Sequence, residues 1–305
     1  ARVMRAGSFD IVVSYLKNTN IYAELAKLCS RNTKLIVSER TSYLDDRSAM
    51  AALARRSLHA IADQVVANSE AQAEWLRQKR WLSDKVSCIY NGLDLDEFRP
   101  LPSAGAVPST ASDTKLLCIG RVGPEKNVLG LIEALSRLAQ NRGFSPQVSW
   151  VGRRDESPAG RLYCAEVDRQ LERCPEVRQK WRWLGLRSDV VDLLRSHHVL
   201  VHPSFYEGLP NVVCEALACG VPVLASAVCD HPLLVEDGVR GFLFDPHDAE
   251  SISIAIDKMV ALSDGDWLQM SRNARDYAEK ALGVDRMLRS YESLFDQMLE
   301  SQGSV

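Results

Sequence analysis

The stretch that decides the fold is Phe205–Gly220, which reads FYEGLPNVVCEALACG. The apolar run Val199–His202 precedes it and is typical of a buried strand. Pro210 suits the first turn of a helix, and the apolar residues that follow it continue with helical spacing. A buried strand, a Gly/Pro turn and a helix together predict a βα unit of a parallel sheet.

Two glutamates belong to this stretch, Glu207 in the loop and Glu215 inside the helix. A lone carboxylate among apolar residues costs free energy unless it accepts hydrogen bonds, and a ribose diol supplies two donors. The backbone amides of Gly208–Asn211, at the start of the helix, are expected to point at phosphate or sugar oxygens. The alternative is an ordinary helix start with Glu207 as a capping acid.

Short apolar runs alternate with helical patterns along the whole chain. Such alternation is typical of parallel sheets that helices cover on both faces. The predicted strands are Ile11–Ser14, Leu35–Ser38, Gln64–Ala67, Val86–Tyr90, Lys115–Ile119, Gln147–Val151, Trp181–Leu184, Val199–His202, Val221–Ala225 and Gly241–Phe244. The predicted helices are Ile21–Ser30, Arg47–Ala62, Ser69–Gln78, Asn127–Asn141, Arg161–Cys174, Ser188–Ser196, Pro210–Cys219, Ala249–Ala261, Asp264–Ala281 and Asp285–Leu299.

The composition changes at 101–113, LPSAGAVPSTASD, which predicts a linker or a flexible loop. We therefore expect an α/β protein with two Rossmann-like domains. The predicted limits are 1–93 for a partial first domain, 94–284 for the second domain, and 285–305 for a C-terminal helix that caps the second domain or crosses back to the first. Only about 90 residues precede Asn91, which is short for such a domain, so the first domain is expected to be truncated.

The composition also excludes some classes of function. A net charge of −3 gives no support to nucleic-acid binding through bulk charge. No apolar run approaches the ~18 residues of a membrane span, and the first residues contain no hydrophobic core of a signal peptide. The eight cysteines form no CxxC pair and lie mostly in apolar runs, which predicts buried free thiols in a reducing cytoplasm and no metal site.

Two further junctions of strand and helix carry glycine and basic residues. The first ends in Gly120 and continues with Arg121 and Lys126, which suit a pyrophosphate beside helix amides. The alternative is a solvated basic loop that Asn127 caps. The second ends in Gly152, where the backbone is able to approach a flat ligand such as a base, although a plain turn explains the same residue.

These motifs, in this order, resemble those of retaining glycosyltransferases of the GT-B fold, in the large glycosyltransferase family 4 (GT4). The GT-B fold implies two parallel sheets that face each other across a cleft. The resemblance covers nearly all of residues 86–250. It rests on Tyr90-Asn91-Gly92-Leu93-Asp94, Phe98-Arg99-Pro100, Gly120-Arg121 with Lys126, Val151-Gly152, Gly185, His202-Pro203-Ser204, Glu207 to Glu215, Gly220-Val221-Pro222-Val223 and Gly241-Phe242.

The resemblance implies a role for each site residue. Arg121 and Lys126 would bind the donor diphosphate and steady the departing nucleotide, Glu215 would hold the ribose, and Glu207 would contact the donor sugar near the reaction centre. Glu207, Arg121 and Lys126 are thus the expected catalytic residues. The rest of the expected donor site consists of Gly120, Gly152, Gly208, Leu209, Pro210 and Asn211.

The resemblance also implies the chemistry and the partners. The donor would be a nucleotide sugar, UDP-linked in our interpretation, and the reaction would retain configuration and need no metal or cofactor. Val37–Thr41 reads VSERT and resembles a subset of the family that acts on lipid-linked oligosaccharides and polysaccharide intermediates. Glu39 and Arg40 would then lie on the acceptor side, whereas a helix-capping ion pair explains them equally well.

The sequence therefore predicts a hexosyl or N-acetylhexosaminyl transferase for a lipid-linked or polysaccharide acceptor. It is expected in the cytoplasm, with peripheral association with the inner membrane as an alternative. The basic pattern Arg47–Arg56, followed by His59, either touches an anionic membrane or acceptor or forms a solvated helix face. The other interpretations left open are a nucleotide-binding, catalytically incomplete GT-B fragment and a GT-B nucleotide-sugar epimerase.

Overall fold

The computed structural model describes residues 9–30, 32–40, 56–100 and 107–300, together with Met4 and Gly7. The strands found there are β1 Ile11–Tyr15, β2 Lys34–Glu39, β3 Gln64–Ala67, β4 Val86–Cys88, β5 Lys115–Ile119, β6 Gln147–Val151, β7 Trp181–Gly185, β8 Val199–His202, β9 Val223–Ser226 and β10 Gly241–Phe244. The helices are α1 Lys17–Lys27, α2 Glu70–Arg77, α3 Val128–Arg142, α4 Pro158–Arg173, α5 Pro175–Arg178, α6 Val190–Ser196, α7 Asn211–Ala218, α8 His231–Val235, α9 Ala249–Val260, α10 Asp264–Ala281 and α11 Val284–Glu300. All the paired strands run parallel, in two separate sheets. The predicted α/β class with two parallel-sheet domains is confirmed.

The chain divides into two compact units. The first unit comprises Ala1–Gly92, Tyr206–Leu209 and Val284–Val305, and the second comprises Leu93–Phe205 and Pro210–Gly283. The segment that carries Glu207 thus groups with the first unit, although both of its neighbours in the chain belong to the second.

The first unit holds a four-stranded sheet in the order β1-β2-β3-β4. Side chains of a strand alternate between its faces, and β2 shows both faces buried. Leu35 and Val37 pack into one apolar cluster with α2, whereas Ile36 packs into a second cluster on the other face. This explains why β2 reads as a continuous apolar run and not as an alternating one.

Helix α11 covers the second face of this sheet. Its residues Tyr291, Leu294 and Met298 are spaced by three and four positions, so they share one side of the helix. All three are buried against Ile36 and Val66. The C-terminal helix therefore packs on the first sheet.

The second unit holds a six-stranded sheet in the order β10-β9-β8-β5-β6-β7. Strands β6 and β7 follow β5 toward one edge of the sheet, whereas β9 and β10 follow β8 toward the other edge. The order therefore reverses between β5 and β8, which are hydrogen-bonded neighbours. In open parallel sheets, ligands bind beyond the carboxyl ends of the strands at such a reversal.

Parts of the sequence prediction differ from the structure or lie outside the described residues. The helix predicted at Ile21–Ser30 is found at Lys17–Lys27. The short helices α5 and α8 were not predicted, although each has proline in its first turn. The predicted helix Arg47–Ala62 lies largely outside the described residues, and its end forms a 3₁₀ turn at Leu58–Ile61. Of the predicted linker, 101–106 also lies outside the described residues. No helix among the described residues combines the length and the apolarity that crossing a bilayer requires.

Candidate functional site

The reversal of strand order places two predicted loops side by side at the edge of the second sheet. Gly120 follows β5 directly, and Pro203 follows β8 directly. Leu116 and Leu117 of β5 are in register with Val199 and Leu200 of β8. Both loops therefore leave the sheet from neighbouring strand ends, where a ligand of this fold is expected.

Gly152 lies against the backbone of Gly120. Its φ is +141°, and a Cβ atom there would lie 2.0 Å from the carbonyl oxygen of Gly120. Its amide also donates to the carbonyl of Gly185, at 2.8 Å. Glycine is thus required at position 152 by the close approach of neighbouring backbone. Its contact with a donor stays a prediction.

Arg121 is held by two carboxylates of its own unit. Its Nη2 donates to Oε1 of Glu125 at 2.6 Å, and its Nη1 lies 3.6 Å from Oδ2 of Asp155. The amide and hydroxyl of Ser157 hold the pKa of Asp155 below its usual range, and the charge of Arg121 adds to this effect. The Arg121 side chain is 45% exposed, so its guanidinium lies within reach of a ligand in solution.

Lys126 leaves the same loop as Arg121. It ends a 3₁₀ turn, Pro124–Lys126, and its stem passes over Gly120. A Cβ atom on Gly120 would lie 3.1 Å from Cε of Lys126. The absence of a side chain at Gly120 therefore leaves room for the lysine to cross the end of β5.

The amides at the start of α3 already have partners. Those of Val128 and Leu129 lie 3.0 and 3.4 Å from the hydroxyl of Tyr163, to which they donate. The amide of Gly130 donates to Oδ1 of Asn127, the predicted cap. These amides are thus engaged within the protein, and the anion site predicted for Arg121 and Lys126 beside them stays a prediction.

Glu215 lies on α7, between the buried residues Cys214 and Ala216. Its carboxylate is half-buried and has no hydrogen-bond or ion-pair partner among the residues that the structure describes. Burial raises the pKa of Glu215, and the charge of Glu97 raises it further. Such a carboxylate gains free energy from any ligand that donates hydrogen bonds to it.

Two arginines hold the segment that carries Glu97. Arg195 donates to the carbonyls of Glu97 and Arg99, each at 2.8 Å. Arg275 donates to the carbonyl of Phe98 at 2.7 Å and to that of Ala218 at 2.8 Å. The sequence prediction missed both arginines, because their partners are backbone atoms that are far away along the chain.

No side chain caps the start of helix α7. Pro210 occupies the cap position without a side-chain hydrogen bond, and the first turn holds no acidic residue. Asn211 is the first residue of the helix, and it is exposed. Glu207, Gly208 and Leu209 precede it, and Leu209 is buried. The structure thus places Pro210, Asn211 and Glu215 in the same unit as Gly120, Arg121, Lys126 and Gly152.

Glu39, predicted on the acceptor side, lies in the interior of the first unit. It is 1% exposed, and its carboxylate lies 3.8 Å from Nε of Arg56 and 3.4 Å from Nε2 of His59. His59 also pairs with the buried Glu24. We call these four residues the buried ion cluster.

The buried ion cluster corrects the prediction made for the basic stretch before it. Arg56 and His59 are enclosed with Glu24 and Glu39, so neither belongs to a solvated helix face or touches a membrane. Burial alone lowers the pKa of His59, but the two carboxylates outweigh it and raise that pKa above its usual value. The residues 47–55 lie outside the described residues.

Arg40, the other predicted acceptor-side residue, has a different setting. Its Nη1 donates to Oδ1 of Asn91 at 2.5 Å, and its guanidinium stacks over the ring of Tyr15 at 4.6 Å. Tyr15 ends β1, Arg40 follows β2 and Asn91 lies beyond β4. Arg40 is therefore fixed at the carboxyl edge of the first sheet, where ligands of parallel sheets bind.

All eight cysteines are free, and most are buried, as their apolar surroundings predict. In the described part of the chain, no group of three or more His, Cys, Asp or Glu is arranged to hold a metal ion.

Two family models match this chain. The model described as "Glycosyltransferase Family 4" matches residues 1–97, and that described as "Glycosyl transferases group 1" matches residues 113–261. The chain therefore belongs to the GT4 group of glycosyltransferases. The resemblance inferred from the motifs is confirmed.

Curated relatives cover much of the chain. One is the UDP-Gal:alpha-D-GlcNAc-diphosphoundecaprenol alpha-1,3-galactosyltransferase of Escherichia coli, 27% identical over 70% of this chain and 55% of the relative. Another is the D-inositol 3-phosphate glycosyltransferase of Mycolicibacterium smegmatis, 30% identical over 75% of this chain and 52% of the relative. The chain thus spans about half the length of the curated relatives it matches.

Solved structures share the fold. Anabaena HepE, crystallised in complex with UDP, superposes with a TM-score of 0.83 at 22% identity, over 100% of this chain and 81% of that one. The sucrose-phosphate synthase of Thermosynechococcus elongatus gives a TM-score of 0.78 at 22% identity, over 96% of this chain and 74% of that one. These likenesses confirm the predicted GT-B type of fold.

Proposed function

We propose that the protein transfers a hexosyl or N-acetylhexosaminyl unit from a UDP-sugar to a hydroxyl of a lipid-linked or polysaccharide acceptor. The observation that carries the proposal is Glu215. A half-buried carboxylate with a raised pKa, and with no partner among the described residues, is costly to keep. A ribose diol at this place would offset that cost with two charge-assisted hydrogen bonds.

The comparisons support the donor and the acceptor class. The neighbouring structure of HepE was crystallised with UDP, and also with UDP-glucose. The Escherichia coli relative is named for a UDP-galactose donor and a diphosphoundecaprenol-linked acceptor. We therefore favour a lipid-linked acceptor over a polysaccharide acceptor. We also propose that the protein acts in the cytoplasm, peripherally at the membrane that contains this acceptor.

Arg121 and Lys126 would hold the donor diphosphate from one loop. Arg121 is paired with Glu125, so the diphosphate has to replace that carboxylate. Two cations would neutralise the departing diphosphate without a metal ion, which is how fixed charges stabilise a leaving group. Metal independence is therefore part of the proposal.

The transfer would retain configuration at the anomeric carbon. The bond from this carbon to the diphosphate oxygen breaks, and a bond to the acceptor oxygen forms on the same face. The proton of the acceptor hydroxyl passes to the departing phosphate oxygen. Glu207 would contact the donor sugar, with the backbone of Gly208, Leu209 and Asn211 beside it.

Calorimetric titration with UDP, GDP and ADP tests the donor site. UDP is expected to bind, and Glu215→Ala is expected to weaken it by roughly 1.5–3 kcal/mol, as for hydrogen bonds to a charged group. Glu172→Ala is the matched control, because Glu172 is exposed on α4 in the same unit. Equal affinity in Glu215→Ala and Glu172→Ala would contradict the proposed role.

Turnover separates the remaining interpretations. With a UDP-sugar and a diphosphate-linked lipid acceptor, a transferase forms a glycosylated lipid. An epimerase turns over the donor without any acceptor, and an incomplete fragment binds UDP without turnover.

A further inference from the structure

A buried serine connects the end of β9 with the loop after β8. Ser226 is the last residue of β9, and both it and Ser204 are 0% exposed. The hydroxyl of Ser226 donates to the carbonyl oxygen of Ser204 at 2.6 Å. Because a carbonyl only accepts, the direction of this hydrogen bond is fixed.

His231 fixes Ser226 in turn. Its Nδ1 lies 2.8 Å from the carbonyl oxygen of Ser226, so Nδ1 carries the proton and donates. The ring of His231 also packs edge-on against that of His202, with the centroids 5.3 Å apart. His231 therefore holds the backbone of Ser226, and its Nδ1 also lies 3.2 Å from the hydroxyl oxygen that donates to Ser204.

Phe205, the residue after Ser204, is held by contacts of its own. The amide of Phe205 donates to the carbonyl of Glu125 at 2.9 Å, and the Phe205 ring stacks on His247 at 4.9 Å. Glu125 lies in the loop after β5 and also binds Arg121. Ser204 and Phe205 are thus tied to β9 and to the Arg121 loop, immediately before the segment Tyr206–Leu209.

We propose that Ser226 is a positioning residue for Glu207. The hydroxyl of Ser226 fixes the backbone at Ser204, from which the chain runs through Phe205 and Tyr206 to Glu207. The positioning itself rests on geometry alone, and its effect on catalysis rests on the proposed function. The placement of Glu207 matters because a misplacement of about 1 Å at a reaction centre is able to cost about a hundredfold in rate.

Hydrogen exchange tests the positioning without any need for activity. Ser226→Ala leaves the buried carbonyl of Ser204 without its donor, so amides in the segment 204–209 are expected to exchange about tenfold faster, which corresponds to ~1.4 kcal/mol. Ser226→Thr keeps the hydroxyl and is expected to exchange like the unsubstituted protein. Ser253→Ala is the control, because Ser253 is a buried serine on α9 of the same unit.

Unchanged exchange at 204–209 in Ser226→Ala would overturn the proposal, and so would an equal acceleration in Ser253→Ala. Steady-state kinetics add a readout that a purely structural role would not move. In Ser226→Ala, kcat is expected to fall about tenfold while the affinity for UDP stays unchanged, and Ser226→Thr is expected to restore kcat. If the unsubstituted protein shows no turnover, the proposed function fails, while hydrogen exchange still decides the positioning.

Discussion

Glu125 is bound to Arg121 through its side chain, with Nη2 of the arginine 2.6 Å from Oε1 of the glutamate. The two residues are four positions apart on one loop, so the pair forms locally. The carboxylate of Glu125 neutralises the guanidinium that would bind the proposed diphosphate. Glu125 therefore competes with the ligand for Arg121.

Neutralising Glu125 should therefore strengthen nucleotide binding. Because the pair is exposed, its release is worth ~0–1 kcal/mol, which predicts up to about fivefold tighter UDP binding in Glu125→Gln. The control is Glu133→Gln, which removes a similar ion pair. Glu133 and Arg137 are also four positions apart, with Oε1 of the glutamate 2.8 Å from Nη2 of the arginine. Calorimetry at low salt measures both, and weaker binding in Glu125→Gln would show that Glu125 helps to place Arg121.

Glycine at position 152 should be needed for stability before it is needed for function. A Cβ atom in Gly152→Ala would meet the Gly120 carbonyl at 2.0 Å, and backbone is unable to move aside as a side chain does. Gly143→Ala is the control, because Gly143 has φ +75° but no atom within 4 Å of its added Cβ. Gly143→Ala is expected to cost about 1–2 kcal/mol and Gly152→Ala clearly more, as measured by urea unfolding. Equal losses would mean that the contact at Gly120 relaxes.

Removing one charge from the buried ion cluster should be far more costly than removing one at the surface. Glu39→Gln leaves Arg56 and His59 with fewer buried partners, and such losses typically cost 3–5 kcal/mol. Glu70→Gln removes a partly exposed pair with Arg77 in the same unit, where ~0–1 kcal/mol is expected. Thermal unfolding compares the two variants. A small loss of stability in Glu39→Gln would contradict the structural role of Glu39 and would favour the predicted acceptor contact again.

The same cluster predicts how stability depends on pH. The pKa of His59 is raised in the folded protein, where Glu24 and Glu39 face its ring. Arg56 pairs with Glu39 and lies over the ring of Trp75. His59 therefore contributes its full stabilisation below its unfolded pKa, near 6.5. That contribution is lost as the pH rises through the higher folded value. Titration of the His59 ring by NMR is expected to give a midpoint above that of a free histidine, and a midpoint below it would contradict the cluster as described.

The sequence was enough to locate the strands of both sheets. Runs such as Leu35–Ser38 and Val199–His202 are apolar on both faces, and in a parallel sheet such runs can hardly be anything but buried strands. The cap at Asn127 was also predictable, because an asparagine before an apolar helical pattern has one common use.

Contacts between distant parts of the chain were not predictable in the same way. The hydroxyl of Tyr163 accepts from amides at the start of α3, 34 and 35 positions away along the chain. The sequence predicted an acceptor contact or a capping ion pair for Glu39, and a membrane or acceptor contact or a solvated helix face for the stretch with His59. Only the fold brings these two residues together with Glu24 and Arg56 in one enclosed group. The hydrogen bond of Ser226 to Ser204 spans 22 positions and leaves no pattern in the sequence.

The contacts of Arg275 limit the residues that the second unit tolerates at position 275. Its guanidinium donates to the carbonyls of Leu95, Phe98 and Ala218. One side chain therefore joins the segment 95–98 to the end of helix α7. A planar fork with several fixed donors makes this possible, whereas an ammonium group has the same charge but a single centre. Lysine at this position would keep the electrostatics and lose the geometry, so shape and not charge sets the identity of residue 275.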